Sequence, residues 1–276
     1  MSSAVPTANP TRSPNELVDH IRAGGRALVA LSGGVDSSLV ASLAFAALGS
    51  EVVGVTLVGP AVARREVDRA SRVAAAIGIE HVVLPTDPLA RSEYRANGVD
   101  RCYHCRVVET DAMRKFGVDR SVRQYLDGVQ VDDLADDRPG LRAMDEAGFV
   151  HPLLWAGWGK REVRAEARRQ GLPNWDQPSD ACLASRVAHG EPVTEELLAR
   201  VEVAEAALLD LGFRRVRVRV RSGSARIEVD PSEVPRLLEE PLASLATRAV
   251  ERAGFSSVRV DPRGYRGALL DLAMAP

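Results

Sequence analysis

The segment that most constrains the fold of this chain is a short apolar run, residues 27–31, followed by the sequence SGGVDSS, residues 32–38. Such a run is too short for a helix and is typical of a strand buried on both faces. After the glycines the apolar spacing becomes helical, and the helical pattern ends at Gly49. A strand, a glycine-rich turn and a helix beginning near Asp36 direct several backbone N–H groups at one point, where an anion can bind. No GKS or GKT follows the glycines, so this is not a Walker A loop.

Short apolar runs typical of buried strands and segments with helical apolar spacing alternate through the next ninety or so residues. Helical spacing begins at Ser13, where Pro14 and Glu16 complete a capping-box pattern. Repeated strand and helix segments of these lengths predict an α/β fold with a parallel, doubly wound sheet covered by helices on both faces. Ligands in such sheets bind beyond the carboxyl ends of the strands, where SGGVDSS lies. The further strands are predicted at residues 51–58, 79–84 and 122–126, and the further helices at 61–77 and 102–116.

A second region begins near Pro192. Thr194 is a good N-cap for a helix, and the strictly alternating residues 215–221 predict a strand. A turn, a partner strand at 225–229, a helix and a last strand at 257–260 complete a small C-terminal α+β domain. We therefore expect three segments: a disordered N-terminus at 1–12, an α/β domain at 13–190 and a substrate or oligomerisation domain at 191–276.

Composition narrows the class of protein. With 276 residues, 45% of them hydrophobic and 27% charged, the chain resembles ordinary globular proteins. A net charge of −2 argues against a dedicated nucleic-acid binder. The polar start contains no signal-peptide pattern, and no apolar run reaches bilayer length. We therefore expect a cytoplasmic protein that binds neither membrane nor nucleic acid.

The three cysteines fall in two places. Cys102 and Cys105 form RCYHC at a predicted helix start, and Cys182 lies in SDACLASR. The pair is compatible with chance packing, with a redox dithiol, or with a structural zinc site completed by histidine. All three thiolates together could instead hold an iron–sulfur cluster with one iron open. Arg186, four residues after Cys182, would favour the thiolate form of that cysteine.

Four arginines alternate along the predicted strand at 215–221, so they share one face. One interpretation is an edge strand whose charges block aggregation. A second is a phosphate site built from guanidinium groups. A third is a site shared across an oligomer interface.

Two resemblances follow from these motifs. SGGVDSS resembles the pyrophosphate-binding loop of the N-type ATP pyrophosphatases, the PP-loop superfamily. RCYHC, DGVQVDD, RPG, HPLLWAGWGKREVR, ACLASR and RVRVR ahead of ARIEV occur in the same order in the ATP-dependent sacrificial sulfur transferases, the LarE family. This second resemblance covers about residues 13–270.

The resemblance implies an adenine nucleotide alpha hydrolase-like fold and cleavage of ATP to AMP and pyrophosphate with Mg²⁺. It implies that the substrate is a pyridinium dicarboxylate mononucleotide, whose carboxylates become thiocarboxylates in nickel-pincer cofactor biosynthesis. Two sulfur sources occur in the family. Either the cysteine matching Cys182 gives up its own sulfur and becomes dehydroalanine, or three cysteines carry a [4Fe–4S] cluster. Because this chain has all three cysteines, we expect the cluster, and both versions need Cys182.

The resemblance also assigns roles to single residues. The catalytic residue is Cys182, and the metal ligands are Cys102, Cys105 and Cys182. The substrate-binding residues are Arg186, Arg217 and Arg219. Gln130 stands where the family pattern usually has Asn, and Trp155 replaces a frequent acidic residue. The nucleotide-binding residues are Ser32, Gly33, Gly34, Asp36, Ser37, Gly128, Asp132 and Lys160, with Asp36 near the Mg²⁺.

Two other functions remain open. A tRNA-thiolating enzyme could use the same loop and a three-cysteine cluster, and it predicts a basic, RNA-sized face with steep salt dependence. A non-enzymatic nucleotide sensor needs no reactive cysteine. For the sulfur transferase we expect a small-molecule mononucleotide substrate and a homo-oligomer.

Overall fold

The structure is a computed structural model, and it describes residues 11–135 and 139–266. The described residues divide into two compact units. The N-terminal unit holds residues up to 94 together with 99–180, and the C-terminal unit holds 95–98 and the residues from 181 on. The predicted division after residue 190 falls later in the chain. The reason is that Val187 and Ala188 already pair with a strand of the C-terminal unit, where the Ala188 N–H donates to the Val220 carbonyl at 3.0 Å.

The N-terminal unit is built on a four-stranded sheet in the order β3-β2-β1-β4. Every neighbouring pair is parallel, with Val29 of β1 opposite Gly54 of β2 and Leu126 of β4. The predicted parallel α/β fold is therefore confirmed. The strands are β1 (Ala27–Ala30), β2 (Val52–Val58), β3 (Glu80–Pro85) and β4 (Gln124–Leu126).

Helices cover both faces of this sheet. Leu28 and Val29, adjacent in β1, point to opposite faces and belong to two separate apolar clusters. The Val29 cluster includes residues of α1, α2, α3 and α8, and the Leu28 cluster includes residues of α5 and α6. The helices are α1 (Pro14–Gly24), α2 (Val35–Leu48), α3 (Arg64–Ile77), α4 (Ser92–Arg95), α5 (Arg101–Val118), α6 (Pro139–Glu146), α7 (Pro152–Trp155) and α8 (Lys160–Arg169).

The chain before α1 is anchored at Arg12. Its N–H donates to the Ala156 carbonyl at 2.9 Å, and its own carbonyl accepts a hydrogen bond from Trp158 Nε1 at 2.8 Å. The Arg12 guanidinium lies 4.2 Å from the centroid of the Trp155 ring. The same indole ring stacks on the His20 imidazole, with 3.9 Å between the ring centroids. The prediction of disorder up to residue 12 is therefore wrong at Arg12, and residues 1–10 lie outside the described residues. Trp155, which replaces an acidic family residue, serves this packing.

The C-terminal unit contains a three-stranded sheet in the order β5-β6-β7. β5 and β6 are antiparallel, whereas β6 and β7 are parallel. Thr194 caps α9 as predicted, since its hydroxyl accepts the Leu197 N–H at 3.2 Å. The helix expected after Asp230 is instead two helices, α10 and α11. The elements are α9 (Glu195–Asp210), β5 (Val216–Arg221), β6 (Ser224–Val229), α10 (Val234–Leu238), α11 (Leu242–Arg252) and β7 (Ser257–Val260).

Among the helices that the structure describes, none combines the length and the apolar character needed to cross a bilayer. The cytoplasmic localisation stays a prediction.

Candidate functional site

The glycine turn between β1 and α2 forms the centre of the candidate site. Gly33 has a φ of +77°, and a Cβ there would lie 2.9 Å from backbone atoms of Glu66 and Ala70 in α3, so a larger residue would have to displace that helix. Gly34 precedes α2 and caps it without a side chain. The first N–H groups of α2 therefore lack a side-chain cap, an arrangement that suits an anion.

Hydroxyl groups hold this turn in shape. The Ser32 N–H donates to Ser37 Oγ at 3.2 Å, and Ser37 Oγ donates to the Gly34 carbonyl at 3.1 Å. Ser38 Oγ donates to the same carbonyl at 2.7 Å. The predicted pyrophosphate-binding residues Ser32, Gly33, Gly34 and Ser37 are thus gathered in one compact turn.

Asn174 supports the turn from a distant part of the chain. Its side chain is buried, and Nδ2 donates to the Gly33 carbonyl at 2.8 Å and to Ser38 Oγ at 2.9 Å. No local pattern in the sequence marks Asn174, because it is an isolated asparagine that follows a proline in a loop. Asn174 is a positioning residue for the glycine turn.

Gly128 lies in the loop that follows β4, residues 127–135, here called the second loop, and it packs against the start of α2. A Cβ on Gly128 would lie 2.6 Å from the Ser37 nitrogen and 2.9 Å from the Asp36 carbonyl carbon. Only glycine permits this approach without moving backbone atoms. The structure therefore places Gly128 beside the glycine turn, and its role in nucleotide binding stays a prediction.

Asp132 and Gln130 act inside that second loop. Asp132 Oδ2 accepts the Lys160 N–H at 2.7 Å and so caps α8. The buried Gln130 accepts the Asp132 N–H through Oε1 at 2.9 Å, and its own N–H donates to Asp133 Oδ2 at 3.1 Å. Gln130, which stands where the family pattern usually has Asn, thus stabilises the second loop through these two hydrogen bonds.

Asp36 and Lys160 form an ion pair across 124 positions of sequence. Lys160 Nζ donates to Oδ1 at 2.8 Å and to Oδ2 at 2.5 Å. Burial raises the pKa of Asp36 above its ordinary value, although the Lys160 charge acts in the opposite direction. Lys160, expected to face phosphate, therefore balances the charge of the carboxylate expected near Mg²⁺.

Cys102 and Cys105 lie in the first two turns of α5. Cys102 is exposed, whereas the half-buried Cys105 donates its thiol hydrogen to Glu109 Oε1 at 3.6 Å. The spacing of three residues puts both sulfurs on one side of the helix. Cys182 lies in the C-terminal unit, directly before a 3₁₀ turn over Leu183–Arg186, and none of the three cysteines is in a disulfide.

The described ranges 11–135 and 139–266 contain no group of three His, Cys, Asp or Glu side chains arranged to hold a metal ion. The N-terminal unit holds two of the cysteines and the C-terminal unit holds one. Neither unit by itself thus offers the three thiolates of a cluster. The predicted [4Fe–4S] cluster stays a prediction.

Arg186 is buried in the C-terminal unit, with 1% of its surface exposed. Nε and one terminal nitrogen donate to Glu205 at 2.7 and 2.9 Å. The other terminal nitrogen donates to the Ala181 and Cys182 carbonyls and to Ser185 Oγ. In this structure the donors of Arg186 hold the turn that carries Cys182, and its role in substrate binding stays a prediction. Arg186 is a positioning residue.

We expect Glu205→Gln to lower the free energy of unfolding by about 3–5 kcal/mol, because it leaves the buried Arg186 charge without a counter-ion. Urea titration measures this loss. Glu196→Gln, an exposed change in the same helix, is the matched control and is expected to change stability by less than about 0.5 kcal/mol. A loss below about 1 kcal/mol in Glu205→Gln would contradict the importance of this pair.

The arginines of β5 are more enclosed than their alternation predicts. Arg217 is 4% exposed, donates to the Val216 carbonyl at 3.0 Å and lies 5.4 Å from the Tyr265 ring. Arg219 donates to Glu228 at 3.2 Å and to the Ser185 carbonyl at 2.8 Å. Arg217 is therefore buried, whereas Arg219 keeps partial exposure beside the turn that carries Cys182. The role of both arginines in substrate binding stays a prediction.

Comparison with known proteins agrees with this geometry. Residues 15–101 match the family model described as NAD synthase. An uncharacterised protein of Synechocystis sp. is 38% identical over 89% of this chain and 92% of its own length. The pyridinium-3,5-bisthiocarboxylic acid mononucleotide synthase of Lactiplantibacillus plantarum is 31% identical over 89% of both chains. A tRNA-specific 2-thiouridylase MnmA of Xanthobacter autotrophicus is 34% identical over 58% of this chain and 51% of its own length.

The synthase match covers 89% of both chains, whereas the thiouridylase match covers about half of that relative. Together with the parallel sheet and the turn before α2, these matches identify an ATP-using sulfurtransferase of the PP-loop superfamily. The chain belongs to the LarE family of ATP-dependent sulfur transferases.

Proposed function

We propose that this enzyme uses ATP to convert the carboxylates of a pyridinium dicarboxylate mononucleotide into thiocarboxylates, a step in nickel-pincer cofactor synthesis. The observation that carries the proposal is the built anion site before α2, in a chain that matches the synthase over 89% of its length. The thiouridylase likeness is shorter, so tRNA thiolation is the weaker candidate.

The glycine turn supplies the nucleotide site in this proposal. Backbone N–H groups at the start of α2 and the Ser32 and Ser37 hydroxyls would bind the pyrophosphate portion of ATP. Mg²⁺ prefers carboxylate and phosphate oxygens, and the half-buried Asp36 carboxylate offers the donor type that this ion needs. Asp36 would hold the ion, which neutralises phosphate charge when bound, and Lys160 balances Asp36 in its absence.

The first chemical step forms a mixed anhydride. A substrate carboxylate oxygen attacks the α-phosphorus of ATP, the bond from that phosphorus to the bridging oxygen breaks, and pyrophosphate leaves. The product is an acyl adenylate. The turn's N–H groups act by positioning the phosphates and stabilising the charge that develops on the leaving group.

The second step transfers sulfur from Cys182. Its thiolate attacks the acyl carbon, the carbon–oxygen bond to AMP breaks, and a thioester forms. Loss of the Cys182 Cα proton and cleavage of the Cβ–Sγ bond then leave dehydroalanine on the protein and a thiocarboxylate on the substrate. The Arg186–Glu205 pair and Arg219 support this step by holding the turn that carries Cys182.

A [4Fe–4S] cluster on Cys102, Cys105 and Cys182 is the alternative sulfur source. The feature that favours it is the placement of Cys102 and Cys105 on one side of α5. In the proposal the partly exposed Arg219 is the arginine expected to reach the substrate phosphate most readily, and a homo-oligomer stays a prediction.

Product analysis tests the proposal. With ATP, Mg²⁺ and the dicarboxylate mononucleotide, we expect AMP and pyrophosphate in equal amounts and a thiocarboxylate product. If Cys182 is the sulfur source, the intact mass of the protein should fall by the mass of one H₂S per turnover, since Cys182 becomes dehydroalanine. Release of ADP and phosphate would overturn the proposed chemistry.

A further inference from the structure

His151 lies between two carboxylates in the N-terminal unit. Its Nδ1 is 2.8 Å from Asp127 Oδ1, and its Nε2 is 2.9 Å from Asp145 Oδ1. The imidazole is 10% exposed and the Asp127 side chain 7%, whereas the Asp145 side chain is 62% exposed. His151 thus connects a buried carboxylate to one at the surface.

The buried carboxylate belongs to the second loop of the nucleotide site. Asp127 is the first residue after β4, and its Oδ1 also accepts the Val129 N–H at 3.0 Å. That bond closes a turn around Gly128, which packs against the backbone of Asp36 and Ser37. The orientation of Asp127 therefore fixes how the second loop meets the start of α2.

The charges around this set come from three elements. Asp127 follows β4, Asp145 belongs to α6, and Arg106 of α5 lies close enough to Asp127 to respond to its charge. The pKa of Arg106 is raised, mainly by Glu109 and in smaller part by Asp127. Burial acts to lower the pKa of His151, but the hydrogen bonds and charges of Asp127 and Asp145 outweigh it and raise that pKa above its ordinary value.

We propose that His151 is a positioning residue for ATP binding: in its protonated form it holds Asp127, and through Asp127 the turn at Gly128, against the N-terminus of α2. Imidazolium has two N–H donors, one for each carboxylate, whereas neutral imidazole has one. Deprotonation therefore costs the set one hydrogen bond and its positive charge. The second loop then loses part of the support that sets its distance from the glycine turn.

The inference rests on the proposed use of ATP, so its test separates binding from chemistry. In single-turnover reactions with enzyme in excess over the mononucleotide, we measure the ATP concentration that gives the half-maximal rate (KM) and the maximal rate constant of AMP formation (kcat). The range is about pH 6 to about pH 9, across the ordinary histidine pKa of about 6.5 and the raised value expected here. Wild type is expected to show KM rising by about tenfold as pH increases, the equivalent of one charge-assisted hydrogen bond, with kcat changing by less than about twofold.

Two variants, His151→Gln and Asp145→Asn, are expected to change the pH dependence of KM in different ways. His151→Gln keeps one donor but does not titrate, so its KM should stay near the high-pH value of wild type at every pH. Asp145→Asn removes the exposed carboxylate that helps to keep His151 protonated, so the rise in KM should move to lower pH. At the lowest pH its KM should match that of wild type. The imidazole resonances of His151, followed by NMR, should show the same shift in titration midpoint.

His81→Gln is the matched control, because His81 is an imidazole of the same unit whose Nε2 contacts Thr56 Oγ1 at 2.7 Å. Its pH profile should match that of wild type. A His151→Gln variant whose KM follows pH as wild type does would overturn the inference while leaving the proposed function intact. Failure of wild type to bind an ATP analogue at any pH would overturn both.

Discussion

Replacing Asp36 with asparagine is expected to lower the rate of AMP and pyrophosphate formation by about a thousandfold. Asp36 is the carboxylate proposed to hold Mg²⁺, and loss of metal-based charge stabilisation costs several kcal/mol in phosphoryl chemistry. The variant also leaves Lys160 without the carboxylate that it contacts at 2.5 and 2.8 Å. Pyrophosphate release, measured with saturating ATP and substrate, reports the loss.

Thermal unfolding shows whether that loss is local. Because burial raises the pKa of Asp36, the ionised form is disfavoured in the folded protein, and removing it should not lower the unfolding temperature. Asp19→Asn is the matched control, since Asp19 is 71% exposed and pairs with Arg22 on the surface of α1. The control should keep wild-type activity. Pyrophosphate release by Asp36→Asn within tenfold of wild type would contradict the proposed role of Asp36.

The fold was predictable where its signals are local. Gly49 and Gly78 end α2 and α3 with positive φ values of 56° and 82°, and Thr194 caps α9. One boundary that differs is the start of α3, which begins at Arg64 and not at residue 61. Ala63 occupies the N-cap position there in an extended conformation, and alanine carries no capping side chain that could mark the boundary in a sequence.

The candidate site was predictable only in part, because its contacts join distant segments. SGGVDSS marks the glycine turn, but the bond from Asn174 to the Gly33 carbonyl spans 141 positions of sequence. Lys160 was expected to contact phosphate, whereas the fold pairs it with Asp36. Such pairs depend on which helix ends the sheet brings together, and a single sequence does not contain that information.

In β5 the alternation of valine and arginine predicts the two faces of the strand but not their burial. Alternation in β5 correctly separates the valine face from the arginine face, but it does not reveal what covers the second face. Tyr265 lies over Arg217, and the Ser185 carbonyl accepts from Arg219. Arg217 and Arg219, which the alternation predicts to be exposed charges, therefore make part of their contacts inside the C-terminal unit.

Replacing Cys182 with serine is expected to abolish thiocarboxylate formation while leaving acyl-adenylate formation, because a neutral hydroxyl is a far weaker nucleophile than a thiolate. The loss should exceed about a thousandfold, since removing the nucleophile of a covalent enzyme can cost about a millionfold. A single turnover of pyrophosphate release should persist in the variant, with AMP retained in the acyl adenylate. This separation of the two half-reactions places Cys182 after adenylation.

The matched variants Cys102→Ser and Cys105→Ser decide the sulfur source. If Cys182 supplies its own sulfur, both variants should keep activity within about twofold, because Cys102 is an exposed residue of α5 and Cys105 bonds to Glu109. Wild type should then lose one H₂S in mass and turn over once.

If a cluster is the source, anaerobic wild type should contain iron and sulfide, and each of the three serine variants should lose cluster and activity together. A protein that turns over repeatedly without losing mass would exclude Cys182 as the sacrificed sulfur, and loss of mass by a protein free of iron would exclude the cluster.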